Sequence, residues 1–504
     1  MPKAPLPSDP PHDLIQTGVP GLDDVLGGGL TKGRLYLVEG SPGTGKTTIA
    51  LQYLMEGVRL GERVLYVTLS ETETELQGVA ASHGWDLSGI EAREMLPSVD
   101  QFLPDELNTL FHPSEVELGE ASLRILADVE RVDPSRVVFD SLSELRLLAG
   151  NSLRYRRQIL AFKQFFSRRS CTVLLLDDMT APERDLQVQS IAHGVLHLEH
   201  NTPAFGDSRR RLIVLKFRGK LFRGGYHDYR IARGGFLVFP RLVATEHTHV
   251  DDQEHLSSGV KDLDDLLGGG LRRGSSTLLV GAPGTGKSTV AMQFALAAAD
   301  RGECAALFLF DESIATMRTR TEGMGMPLSG HMEAGRIRVC QVDPAQLSPG
   351  EFVHEIRRAV SEYQAKVLVI DSLNGYLNAM PEDRFLIVQL HELLTYLGRS
   401  GVATILIGAQ HGIFGLQMDT PLDASYLADT VVLLRYFEAE GEVRQAISVM
   451  KKRGGQHERS IRSFRMTGHG IALGPPLRQF HGVLSGVPVS LGGSAPGPGN
   501  PGSS

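Results

Sequence analysis

Short apolar runs alternate with amphipathic stretches along this chain. LYLVE (35–39), RVLYVTL (63–69), RVVFD (136–140) and CTVLLLD (171–177) are each almost continuously apolar over one strand length. Such runs predict strands buried on both faces. Between the first two, TTIALQYLMEGVRL sets Ile49, Leu51, Tyr53, Leu54 and Val58 at helical spacing, which predicts a helix. Strand and helix in alternation predict an α/β fold with a mostly parallel sheet covered by helices on both faces.

The pattern then repeats. LDDVLGGGLTKGRLYLVEGSPGTGKTT begins at Leu22 and LDDLLGGGLRRGSSTLLVGAPGTGKST at Leu263. Lys46 and Lys287 are separated by 287 − 46 = 241 residues, and Gly18/Gly259 and Glu71/Glu312 share that offset. Aligning 18–47 with 259–288 gives 18 identities in 30 positions, which points to gene duplication. The expected organisation is a proline-rich disordered lead-in over 1–13, a first domain over 14–245, a second over 246–490 and a flexible Gly/Pro/Ser-rich tail over 491–504.

Each repeat carries a G-x-x-x-x-G-K-[ST] loop between an apolar strand and a helix. The first is Gly40-Ser41-Pro42-Gly43-Thr44-Gly45-Lys46-Thr47, followed by Thr48. The second is Gly281-Ala282-Pro283-Gly284-Thr285-Gly286-Lys287-Ser288, followed by Thr289. Glycines let backbone N–H groups converge on phosphate oxygens, and the helix behind points its positive end at the same anion. Lys46 and Lys287 are expected to reach the β- and γ-phosphates of ATP, with Thr47 and Ser288 as Mg2+ ligands. Asp140 in RVVFDS and Asp371 in VLVIDS close neighbouring strands and are the expected acidic partners of that ion. An Asp after an apolar strand can simply cap a loop, but two at corresponding places favour the metal role. Glu71 in VTLSE and Asp311-Glu312 in LFLFDE follow the next strand. They are candidate bases for the attacking oxygen, against the alternative of a helix-capping acid.

Composition narrows the class. The chain has 504 residues, 41% apolar and 22% charged, with net charge −8, an ordinary soluble balance without global attraction to nucleic acid or membrane. No apolar run reaches the roughly 20 residues a membrane span needs. Cys171, Cys304 and Cys340 form no C-x-x-C pair, so buried spectator thiols in a cytoplasmic protein are expected.

With these residues in hand, the chain resembles the KaiC family, RecA-like double-domain ATPases of the circadian oscillator. SGVKDLDDLLGGGLRRGS, LFDES, VLVIDSL and VVLLRYFEAEGEVRQAISVMKKRGGQHERSIRSF carry the resemblance, which spans about residues 14–490. It implies two tandem RecA-like P-loop NTPase domains in a homohexamer, with ATP between subunits in both rings. The first ring would be a slow ATPase; the second would also phosphorylate its own Ser/Thr residues. The family's paired acids correspond to Asp311-Glu312 but to Ser70-Glu71 in the first repeat. The cations that the family contributes from the neighbouring subunit correspond to Lys216 and Arg218, and to Lys451 and Arg453. His457 matches a family histidine where the first repeat has Phe222. Anchored on Asp429-Thr430, the family's adjacent phosphosites fall on Ser425 and Tyr426, and an upstream one on Thr420. Ser425 is the expected main acceptor and Thr420 a second. The match ends near GVLSGVPVSL, so the KaiA-binding tail of the clock protein is not expected, whereas a KaiB-like partner is compatible with the resemblance.

Two other classes compete. RecA-like domains also drive DNA-dependent recombinases, and seven Lys/Arg fall between 209 and 223. Lys216 and Arg218 are already assigned to nucleotide, net charge is negative, and no DNA-binding appendage is evident, so DNA is not an expected partner. A scaffold merely glued by nucleotide would need both base positions silent, which Glu312 argues against.

Overall fold

The computed structural model describes residues 13–95, 113–180, 186–203, 206–246, 254–378, 386–409, 426–483 and 489–490. They form two compact units divided between Arg241 and Leu242. The division falls there because Leu242 and Ala244 are buried in the second unit's core.

In the first unit the apolar runs are strands with every residue buried: Leu35–Gly40, Val64–Thr68, Arg136–Asp140 and Thr172–Asp177. Among the described residues they belong to one nine-stranded sheet. From one edge its order is Ile90–Glu94, Val64–Thr68, Arg136–Asp140, Thr172–Asp177, Leu35–Gly40 and Gly194–Asn201, all parallel. Arg209–Phe217, Tyr226–Ala232 and Gly235–Phe239 then extend it antiparallel. Apolar clusters lie on both faces of this sheet, as continuously apolar strands require.

The second unit repeats the plan. Its order is Ile337–Gln341, Cys304–Leu309, Ala365–Asp371, Ala403–Ala409, Ser276–Gly281 and Thr430–Ala439, followed by antiparallel Glu442–Lys452, Arg462–Thr467 and Gly470–Pro476. Both sheets therefore bring the carboxyl ends of their parallel strands to one edge, where open α/β sheets place their ligands.

The helix after the first P-loop, Lys46–Arg59, packs on a fully buried cation. The Arg136 guanidinium donates to the carbonyls of Gln16 (2.8 Å) and Tyr53 (2.9 Å), pairs with Glu62 and lies over the Tyr53 ring. A Cβ at Gly57 would come within 2.8 Å of the Arg136 side chain, so this mid-helix glycine is a packing requirement despite its helix cost. The cysteines depart from expectation. Cys171 is buried, but Cys304, opening its strand, and Cys340, on the edge strand, are only partly covered; all three are free thiols.

Candidate functional site

Each phosphate loop leaves the carboxyl end of a central strand and is tightened by its own glycines. Gly43 and Gly45 sit at φ 82° and 90°, Gly284 and Gly286 at 80° and 98°. A side chain at Gly45 or Gly286 would also run into Ile231 or Phe464. The Thr44 hydroxyl donates to the Ser41 carbonyl (2.8 Å) and that of Thr285 to the Ala282 carbonyl (2.9 Å), so each loop is closed from within. Thr48 and Thr289, one position into the helix, are buried.

The buried Lys46 ammonium donates to the carbonyls of Gly40 (2.8 Å) and Ser41 (3.1 Å) and pairs with Asp178 at 2.8 Å. Lys287 donates to the carbonyls of Gly281 and Ala282, both at 2.8 Å, and burial pushes it down to about 8. Both lysines therefore lie inside the curl of their loops, among oxygens that a phosphate can replace.

The sheet order brings the acids to these lysines. Thr47 donates from its hydroxyl to Asp140 Oδ2 at 3.1 Å, and the Tyr66 hydroxyl donates to the same oxygen at 2.5 Å. In the second unit Ser288 and Asp371 line the same cleft, where the serine hydroxyl favours the ionised aspartate. Burial pushes both aspartates above the usual carboxylate range, opposed by those hydroxyl donors. A hydroxyl and a carboxylate side by side suit a small hard cation that takes its other ligands from phosphate and water, so the residues fit Mg2+.

The candidate bases are not helix caps. Thr72 caps the helix Glu73–His83 in a capping box with Glu75, and Ser313 caps Ile314–Gly323. Glu71 stands before the cap, half-buried, with Oε2 lacking a hydrogen-bond partner among the described residues. Burial pushes it up to about 7, with Asp140, Glu75 and Asp178 adding repulsion and Lys46 opposing them. The second unit is wired differently. Arg320 grips Glu312 with two bonds, Nε to Oε1 (3.1 Å) and Nη2 to Oε2 (2.8 Å), and the Ser372 hydroxyl donates to Asp311. Asp311, Glu312 and Arg320 line one cleft with Lys287, Ser288, Thr289 and Asp371.

The late cations lie elsewhere. Lys216 pairs in register with Val195, which is level with Leu37, whereas the loop leaves the sheet at Gly40, level with Leu198. Lys451 is level with Val431 and Leu278, and its loop leaves at Gly281. At about 3.3 Å per residue this sets each lysine ~10 Å back from its own loop. Their side chains hold that end of the sheet. Lys216 donates to the carbonyls of Gln189 (2.6 Å) and Ser190, Arg218 to Ser190, Lys451 to Ala428 (2.8 Å) and Arg453 to Tyr426 (3.2 Å). His457 lies in the loop before Arg462–Thr467, next to Gly268, while Phe222 packs against the first unit's core. Ser425 and Thr420 lie outside the described residues; Tyr426 is exposed.

Motif reading missed Tyr66, Asp178 and Arg320. The repeat offset offered a signal for the first, since Tyr66 corresponds to Leu307. Asp178 adjoins the strand CTVLLLD, and Arg320 lies on the helix that Glu312 precedes.

Known proteins match along almost the whole chain. A family model described as "ATPase: KaiC" matches residues 15–243 and again 256–478. The circadian clock protein KaiC3 of Synechocystis sp. is 26% identical over 482 residues, covering 95% of both chains. The circadian clock oscillator protein KaiC of Prochlorococcus marinus is 29% identical over 480 residues, 94% of this chain and 93% of that one. KaiC of Thermostichus vulcanus is 28% identical over 484 residues, covering 95% and 92%. With both halves matched and two like-built nucleotide folds, the chain belongs to the KaiC family of ATPases.

Proposed function

We propose that this protein binds and hydrolyses Mg-ATP at both P-loops in a homohexamer, and that its second domain transfers the γ-phosphoryl group to Ser425, with Thr420 as a lesser acceptor. The observation that carries the reading is the opposition of two ends in each sheet. The loop, hydroxyl–carboxylate pair and base gather at one end, while the Lys/Arg pair sits at the other. A cation that cannot reach its own nucleotide can serve a neighbour's, and a head-to-tail ring closes that arrangement.

In the first domain, Lys46 leaves its carbonyl partners for the β- and γ-phosphates. Thr47 and Asp140 would hold Mg2+, which neutralises phosphate charge. Glu71 accepts the proton of the attacking water, and the neighbour's Lys216 and Arg218 balance charge on the transferring group. In the second domain Lys287, Ser288 and Asp371 take the same parts, with Asp311 and Glu312 as the acid pair, Lys451 and Arg453 from the neighbour, and His457 beside them. Arg453 is bonded to the Tyr426 carbonyl of its own chain, and Tyr426 directly follows Ser425 in sequence.

The circadian names of the relatives support a role in a clock or in timing or stress signalling, with a KaiB-like protein as a compatible partner. The DNA-motor reading is weaker. Lys216 and Arg218 of the basic segment are already assigned to the neighbour's nucleotide, and the net charge of −8 gives no global attraction to nucleic acid.

Incubation with γ-labelled ATP followed by phosphopeptide mapping tests the kinase half. Label on the peptide containing Ser425 is expected; ADP production without label would leave a tandem ATPase. A pH profile tests the first base. In an E312Q chain, where the second site is silenced, kcat/KM should rise about tenfold from pH 6 to pH 8. It should level off above about 7, because Glu71 must be ionised to act and its proton is held up to about 7. A flat profile over that range contradicts the role of Glu71.

A further inference from the structure

The two P-loop lysines differ in one partner. Lys46 pairs with Asp178 at 2.8 Å as well as with two loop carbonyls. Lys287 has the corresponding two carbonyls and, among the described residues, no carboxylate within ion-pair distance. The register explains the difference. Glu39 is level with Asp177, so Asp178 stands level with Gly40; in the other sheet Gly281 is level with Ala409. The duplicated position is thus an aspartate in one repeat and an alanine in the other.

We propose that Asp178 is an internal competitor for Lys46, a specificity-determining residue that lowers the first site's preference for a triphosphate, so that the second site fills at lower ATP. The physical argument is one of charge. A γ-phosphate needs the same ammonium that Asp178 holds. On binding, the aspartate must give up its counter-ion and either turn to solvent, being partly exposed, or remain as a like charge beside the phosphate. Both choices cost the triphosphate more than the diphosphate, whose charge ends one phosphate earlier. The Asp178 charge also reaches Glu71 and Asp140, contributing to the upward shift of each. Asp177, its neighbour, pairs instead with Arg146 at 2.5 Å.

The inference rests on Lys46 and Lys287 being phosphate ligands, and the test separates the two claims. In full-length K287A protein, the first site is titrated with fluorescent AMPPNP and fluorescent ADP in the presence of Mg2+. D178N is expected to tighten AMPPNP binding about tenfold, and ADP binding by clearly less. In the reciprocal variant, A409D in a K46A chain, AMPPNP binding at the second site should weaken while ADP changes little. Unchanged or weaker AMPPNP binding in D178N overturns the proposal; weaker binding would mean that the carboxylate helps to hold the magnesium nucleotide. If K46A in the K287A background still binds nucleotide, the reading of the P-loops themselves fails, independently of Asp178.

Discussion

Replacing Glu71 and Glu312 together by glutamine is expected to lower ATP turnover by about 10²–10⁴-fold while leaving Mg-ATP binding intact. The amide keeps the shape of each side chain but cannot take a proton, so the loss should fall in kcat. Nothing in either loop depends on these carboxylates for its form. Thr44 and Thr285 close the loops, and Thr72 and Ser313 cap the following helices. The single variants should differ. Glu71 Oε2 has no partner among the described residues, whereas Glu312 starts in the grip of Arg320. E71Q should therefore remove a base that is free to act, and E312Q one that must first be released. Turnover by the double variant equal to that of the unaltered protein, measured as ADP release under saturating ATP, would remove both residues from the chemistry.

Much of this was legible before any coordinates. The apolar runs marked four strands of the first sheet because strands buried on both faces leave no polar alternation to misread. The glycine spacing marked both loops because a phosphate cradle tolerates few other residues. The offset of 241 set Glu71 against Glu312, and the like-built runs RVVFDS and VLVIDS set Asp140 against Asp371. What stayed hidden depends on neighbours distant in sequence. Asp178 meets Lys46 only because Thr172–Asp177 is inserted between the P-loop strand and the strand of Asp140. Tyr66 reads as one more apolar residue in a buried strand, and its hydroxyl matters only because Asp140 ends the adjacent one. Arg320 lies two turns along a helix from the glutamate it grips. The half-covered state of Cys304 and Cys340 likewise follows from strand position, which composition does not carry.

The second large effect concerns the cations. Replacing Lys216, Arg218, Lys451 and Arg453 by alanine should reduce turnover by about 10³–10⁵-fold, the range found when a charge-stabilising arginine is taken from a phosphoryl-transfer site. Because each pair lies ~10 Å back from its own loop, that loss should not arise within one subunit. In the single chain these side chains bond carbonyls at the start of the sheet. Their removal should therefore leave nucleotide binding by an isolated chain largely unchanged and act through the assembled ring.

Mixing two inactive proteins tests this division of labour. One carries K46A and K287A and has no competent P-loop; the other carries the four alanine substitutions at Lys216, Arg218, Lys451 and Arg453. Each alone should be nearly silent. After co-assembly, the intact cations of the first should face the intact loops of the second, and ADP release should recover to a substantial fraction of that of the unaltered protein. No recovery in mixed assemblies whose composition has been verified would contradict sites completed by a neighbouring subunit.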